Sequence, residues 1–410
     1  MFSEKILDLA RRCEADCKEQ FEHIDDVAFF NTQKVMKVFA DNRLSERHFV
    51  PTTGYGYNDD GRDLCDKMFA DALGAEAGFA RHSIINGTHA LSIGLYALLR
   101  PGDTLLSVAG KPYDTLDGVI GISGKSGDGS LADFDIKYKQ IDLDENGYPD
   151  IEKIKNALIS DKSIKVVFIQ RSKGYSTRRT LAVSDIDAVC DAVRECSDSY
   201  VMVDNCYGAF TEKTEPKADL LVGSLIKNAG GGIAESGGYL VGTAKAVELA
   251  SYRYSTVGVG LECGASLGQT KSMIKGLFYA PHTVAQAVKT AVFAARMFEV
   301  LGFDVAPRFD EKRSDIIQTF TLGCEDALVK FCLGIQAGSP VDAHVAPVPW
   351  EMPGYNDRVI MAAGAFTQGS SIELSCDGPV RPPYIAYLQG GLTYESGKYG
   401  IMKAAQTVTE

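Results

Sequence analysis

Four short runs between residues 102 and 224 are dominated by apolar residues: "GDTLLSVAG", "IKVVFIQ", "YVMVDN" and "ADLLVGS". A strand with one face in water alternates polar and apolar side chains, so a strand apolar on both faces needs cover on both. Each run has turn residues beside it, and "VSDIDAVCDAVREC", between the second and third, has helical period. That alternation predicts an α/β chain with a mainly parallel sheet and helices on both faces.

The flanking sequence reads differently. Residues 3–40 read as helix, with Ile6, Leu7, Leu9 and Ala10 at helical spacing and the pattern repeated in "QKVMKVFADN". "HFVPTTGYGYNDDGRDL", rich in glycine and aromatic residues, reads as loop. "TVAQAVKTAVFAARMFEVLGF" predicts a long helix; beyond it come shorter strands, the proline-rich "APVPWEMPGY" and a last strand-like run, "SSIELSC". The expected division is an N-terminal helical segment and inter-subunit loop over 1–60, a large α/β domain over 61–275 and a small α+β domain over 276–410. There is no internal repeat.

A chain of 410 residues can bury a large core. A formal charge of -12 argues against nucleic acid or an anionic membrane as main partner, because both need clustered Lys and Arg. Ten cysteines without a CxxC pair read as reduced core thiols, not a disulfide framework. "MFSEKILDLARRCEADCKEQ" carries charges through its first turns, unlike a signal peptide. No run approaches the roughly 18 apolar residues of a spanning helix. The expected location is the cytoplasm. The six histidines show no HxxxH or HExxH pairing, so no metal site is expected.

Ligands of open α/β sheets bind beyond the carboxyl ends of the strands. Asp204 follows the apolar residues of "VMVDN", where a carboxylate is costly to bury without a cation or strong donor; the alternative is a turn cap. Lys227 follows the next such strand and precedes Gly230, Gly231 and Gly232, which form either a flexible turn or a surface for close packing. In "IINGTHALSIGLYALLRPGD", Gly87 and Thr88 begin a helix, where free N–H groups and the helix dipole favour a phosphate. Asn86 or Thr88 acting as a plain N-cap is the alternative. Tyr113, in "GKPYDTLDG", is a stacking platform or a half-buried loop tyrosine.

One ligand accommodates all of these. Its phosphate would meet Gly87, Thr88 and Ser224, its flat ring Tyr113, its ring nitrogen Asp204, and its aldehyde would form a Schiff base with Lys227. That describes pyridoxal 5′-phosphate, whose protein partners are a lysine and an acid at the pyridinium nitrogen. A dinucleotide fits worse. "NAGGGIAESGG" follows a lysine and does not open a helix as GxGxxG does, and no acidic residue ends a suitable next strand.

From about residue 45 to 400 the chain resembles the pyridoxal-phosphate-dependent methionine γ-lyase-related proteins, also called aluminium resistance or cystathionine β-lyase-like proteins. The resemblance lies in "TGYGYNDDGRD", "NGTHA", "GKPYDTLDG", "QRSKGYSTR", "VDNCYGAF", "GSLIKNAGGGIAESGGY" and "APVPWEMPGYNDRVIMAAGAFTQGSSIELSCDGPVRPPYIAYLQGGLTYE". It implies the PLP-dependent transferase-like fold (aspartate aminotransferase fold type I), whose large domain holds a mainly parallel seven-stranded sheet. It also implies that Lys227 is the Schiff-base lysine, Asp204 the pyridinium partner, Tyr113 the ring-stacking tyrosine, and Gly87, Thr88 and Ser224 the phosphate contacts, with His89 facing the cofactor from the same loop. A neighbouring subunit would complete the phosphate site with Tyr55 or Tyr57 and Arg62. Of these, Tyr57 and Arg62 are assigned to the phosphate and Tyr55 to the substrate. The implied assembly is a homotetramer of two dimers with shared active sites. Arg381 is assigned to the substrate carboxylate, since arginine presents it a planar fork.

The implied activity is β- or γ-elimination from a sulfur amino acid, giving a 2-oxo acid, ammonia and a thiol. Lys227 would be general base and Tyr113 the acid at the leaving thiolate. Transamination, γ-replacement, or cofactor binding by a stress protein with little turnover are the alternatives. Three departures from the lyases stand out. Gln170 and Arg171 replace an asparagine beside the ring and are expected to change its electrostatics; Asn86 and Ala209 replace a common serine and acidic residue. Trp350, the only tryptophan, is a pocket wall or a packed loop residue.

Overall fold

A computed structural model describes residues 2–352 and 357–410. Its first sheet has seven strands: β1 (Ala77–Arg81), β2 (Thr104–Ser107), β3 (Lys137–Gln140), β4 (Ile164–Gln170), β5 (Tyr200–Asp204), β6 (Leu220–Ser224) and β7 (Gly238–Gly242). Their order is β1-β7-β6-β5-β4-β2-β3, parallel except for β7, which runs against both neighbours. Successive residues of one strand serve different cores. Val167, Ile169, Val201, Val203 and Leu221 pack on one face, and Val166, Phe168, Met202, Leu220 and Val222 on the other. Both faces are dry, as the apolar runs require.

The covering helices are α3 (Asp60–Ala72), α4 (Gly87–Leu98), the short α5 (Asp117–Ile120), α6 (Ile151–Ser160), α7 (Val183–Cys196) and α8 (Ala244–Tyr254). They follow α1 (Glu4–Asp16) and α2 (Lys18–Asp41). The continuous helix expected over 3–40 is broken at Cys17, whose buried thiol lies 3.9 Å from the Val292 carbonyl. The loop expected around residue 60 ends early. Asp59 caps the N–H of Arg62 at 2.9 Å, and α3 begins at Asp60.

The long helix α9 (Thr270–Val300) carries the glycine cluster's contact point, at Gly276. A side chain at Gly230 would collide with the Leu225 carbonyl, and one at Gly231 with that of Gly276 on α9. The cluster is therefore a close backbone packing, with Gly231 and Gly232 at positive φ.

The second sheet is antiparallel throughout, in the order β10-β11-β12-β9-β8. Its strands are β8 (Asp304–Ala306), β9 (Gln318–Thr321), β10 (Val359–Ala362), β11 (Ser375–Pro379) and β12 (Ile385–Gln389). Helices α10 (Glu325–Ala337) and α11 (Tyr394–Thr409) cover it. Ile6, Leu9 and Cys13 of α1 belong to this core, beside Phe298, Phe320 and Phe331. The strand expected at "SSIELSC" begins only at Ser375. Ahead of it, Glu373 turns back to accept the N–H groups of Phe366 and Thr367 at 2.9 and 2.7 Å. The N–H of Ile372 donates to the Ile226 carbonyl at 2.9 Å, which fastens this segment beside Lys227. Among the described residues no helix is long and apolar enough to cross a membrane.

Candidate active site

Strands β4, β5 and β6 are parallel neighbours, so their carboxyl ends open on one cavity of about 440 Å³. Asp204 ends β5, and its Oδ1 accepts the Cys206 N–H at 3.0 Å. Burial pushes its carboxyl above the ordinary range; that N–H, Lys227 and Arg178 pull the other way. Lys227 lies three residues beyond the end of β6. Its ammonium donates to the Tyr207 hydroxyl and, at 2.9 Å, to the Ser370 carbonyl.

The phosphate-like corner is built from α4 and β6. Asn86 caps α4 by accepting the His89 N–H at 2.8 Å, and Gly87 opens the helix. Gly87 has no side chain to spare: a Cβ there would lie 2.9 Å from Cys206 Sγ and 3.6 Å from Ser224 Cβ. Thr88 and Thr115 share a hydroxyl contact of 2.9 Å in the same wall. Ser224 is fully buried, and its hydroxyl meets no hydrogen-bond partner among the described residues. Such a hydroxyl costs about 1–3 kcal/mol until something polar reaches it.

Tyr113 forms the adjoining wall. Its N–H donates to Gln170 Oε1 at 2.5 Å, and its ring meets that of Tyr175 edge-on at 5.5 Å. Gly174, at positive φ, lets the Tyr113 ring approach. Gly87, Thr88, Tyr113, Asp204, Ser224 and Lys227 thus line a single cavity.

Other expected residues sit elsewhere. His89 does not line the cavity; its Nδ1 accepts the Ile85 N–H at 3.1 Å. Tyr55 and Tyr57 stack on each other at the surface, 74% and 61% exposed, away from this chain's own cavity. Arg62 is not offered outward. It is buried, donating to the carbonyls of Gly56 and Gly264 at 2.7 and 3.0 Å, and so holds the tyrosine loop. Arg381 lines a neighbouring cavity of about 250 Å³, which shares Tyr113, Gln170, Gly174 and Tyr175 with the first, and pairs with Asp357 at 2.7 Å. Trp350 lines neither cavity; it pairs with Val359 in an isolated bridge.

Arg171 corrects an expectation. Gln170 faces the cavity, but the next side chain points to the opposite side and is fully buried. There it binds Asn205, Glu215 and Glu212 at 2.8, 3.2 and 3.0 Å. Its charge is consumed by structure and does not set the field at the ring position.

Two further residues line the cavity that the sequence does not single out. Tyr207, three residues after Asp204 in "VDNCYGAF", has its hydroxyl on Lys227. Asp377 reaches the same cavity from β11, in contact with the Tyr175 hydroxyl. Tyr207 was legible as a second polar residue on the turn leaving an apolar strand. Asp377 had no local signal.

The sequence model of the methionine gamma-lyase family matches residues 6–409. The uncharacterized protein YnbB of Bacillus subtilis (strain 168) is 48% identical over 98% of this chain and 96% of its own length. The crystal structure of a carbon-sulfur lyase involved in aluminium resistance from Clostridium novyi NT is 49% identical, with a TM-score of 0.94 over 98% of this chain and 96% of that one. At 15% identity and a TM-score of 0.62, the pyridoxal-5′-phosphate-dependent protein YhfS of Escherichia coli covers 93% of the chain and shares its fold, that of the fold type I enzymes. A match over residues 6–409, nearly the whole chain, means that the chain belongs to the methionine gamma-lyase family.

Proposed function

We propose that the protein is a pyridoxal-5′-phosphate-dependent carbon–sulfur lyase acting on a sulfur-containing amino acid. The observation that carries this reading is the convergence of Lys227, Asp204 and the unpartnered Ser224 hydroxyl on one cavity at the N-terminus of α4. The residues fit the cofactor. Ser224, Thr88 and the first N–H groups of α4 suit its phosphate. Tyr113 suits its ring, Asp204 its pyridinium, and Lys227 its aldehyde. When bound, the cofactor supplies an electron sink for the pair left at Cα as a proton departs.

The chain's own residues do the rest. The Lys227 amine takes the Cα proton, and the Tyr207 hydroxyl fixes where that amine stands. Asp204 holds a proton on the ring nitrogen through its buried carboxylate. Tyr113, whose ring meets Tyr175 edge-on, protonates the departing sulfur. Arg381 exchanges Asp357 for the substrate carboxylate, since a surface ion pair is worth little. The products are a 2-oxo acid, ammonia and a thiol, with water consumed.

The proposed active unit is a dimer within a tetramer, in which the exposed Tyr55–Tyr57 pair meets a second chain; the proposed location is the cytoplasm. The test is direct. Purified protein should be yellow, borohydride should fix the cofactor to the peptide holding Lys227, and sulfur amino acids should yield 2-oxo acid and ammonia. A new amino acid among the products would indicate a transferase. A yellow protein with no response to any sulfur amino acid would indicate a binding protein. A colourless protein that cannot be reconstituted would end the reading.

A further inference from the structure

A third cavity, of about 270 Å³, lies between α2 and α9, and none of its lining residues lines the two cavities described above. Its walls are aliphatic, with Ile24 and Val27 from α2 facing Val284 and Val288 from α9. Arg313 also lines it, yet is only 9% exposed. Nη2 of Arg313 donates to Gln318 Oε1 at 2.6 Å and to the carbonyls of Pro307 and Arg308 at 3.4 Å. Its Nε and Nη1 meet no partner among the described residues. All three partners of Nη2 are neutral, so no carboxylate answers this charge directly. Burial pulls the guanidinium down to about 10, which leaves it a cation at neutral pH. A buried cation with unfilled donors is expensive.

The rest of the lining is ordered by charge. Gln20 Oε1, in the same cavity, is a buried acceptor without a donor. Glu19, Asp310 and Glu311 are exposed and make the open side acidic; Lys312 beside them is paired with Glu212 at 2.9 Å. Water would satisfy the guanidinium but gains nothing on the aliphatic walls. A plain carboxylate would satisfy Arg313 but leave Gln20 and the acidic side unanswered. A zwitterion answers all of them: its carboxylate meets Arg313, its ammonium Gln20 and the acidic side, and its apolar side chain the valines and Ile24.

We propose that this cavity is a binding site for a free aliphatic α-amino acid, separate from the active site. The assignment does not rest on the lyase reading.

The test titrates the full-length protein, with its cofactor bound, by calorimetry. Three probes are used: L-leucine, 4-methylpentanoate, which lacks the ammonium, and 3-methylbutylamine, which lacks the carboxylate. Leucine should bind, the acid should bind about tenfold or more weakly, and the amine should give no measurable heat. Ala28→Leu fills the cavity from α2 and should weaken leucine binding about tenfold or more, with the cofactor absorbance unchanged. Arg313→Met should do the same; if that variant does not fold, Ala28→Leu alone decides. Leucine binding that survives Ala28→Leu undiminished lies at the active site or elsewhere and overturns the proposal. So does a wild type that ignores leucine, or one that binds the acid or the amine as tightly. A colourless protein that still binds leucine in this pattern would end the lyase reading and keep the second site.

Discussion

The ammonium of Lys227 donates to the hydroxyl of Tyr207 and stands 3.8 Å from the centre of the same ring. Burial keeps that phenol well above its ordinary pKa, so it is a neutral donor and acceptor across the working range. Tyr207→Phe removes the hydroxyl partner of Lys227 and leaves the Ser370 carbonyl in place. The cofactor should still bind, with kcat/KM lowered about 10–100-fold and by the same factor at pH 7 and pH 9. Lys227→Ala should instead abolish borohydride fixation altogether. Steady-state kinetics and mass spectrometry of the reduced protein check the two outcomes.

Ser224 yields a prediction whose sign reverses with the cofactor. In the cofactor-free protein its hydroxyl is buried without a partner, so Ser224→Ala should be neutral or stabilising by about 1 kcal/mol. In the loaded protein the same change removes a phosphate contact and should weaken cofactor binding about tenfold. Thermal melts of both forms, with and without pyridoxal phosphate, measure the reversal. Loss of stability in the cofactor-free variant would show that Ser224 is already satisfied.

How much of this was legible depends on locality. β4, β5 and β6 were readable because a strand dry on both faces has no polar alternation, and their ends deliver Asp204 and Lys227 to one place by parallel register alone. The helix at Gly87 was readable for the same reason. Arg171 is not where the sequence pattern suggests because the residues leaving a strand alternate sides, and Gln170 takes the side facing the cavity. β12 was overlooked beneath the aromatic and proline residues around it, and "SSIELSC" was read as strand although Glu373 spends its carboxylate capping a turn. Asp377 depends on how a second sheet docks on the first, which no local pattern encodes.

Arg171 should behave as a stability residue. Its guanidinium is fully buried, and Glu215 beside it is 1% exposed. Arg171→Ala strands that carboxylate, and removing one partner of a buried pair costs about 3–5 kcal/mol. The expected result is a large drop in melting temperature with little change in kcat for whatever folded protein remains. A stable variant with altered cofactor absorbance would return Arg171 to the ring.

Asp377 ties the site to pH. Its carboxyl is pushed up to about 6 by burial, partly offset by the Tyr175 hydroxyl and Lys227, from the 3.8 of a free aspartate. Between those values the native state binds more protons than the unfolded chain, so this group lowers stability as pH rises through the window. Above pH 6 the penalty is complete and constant; below about pH 4 it is absent. Asp377→Asn keeps the size and a hydrogen-bonding group for Tyr175 but carries no such penalty. The cofactor-free variant should therefore match wild type near pH 4 and exceed it by about 1–3 kcal/mol at pH 7–8. Denaturant unfolding at the two pH values decides it. A variant less stable than wild type at pH 7.5 would mean that the Asp377 carboxylate is already compensated by a fixed cation of the protein.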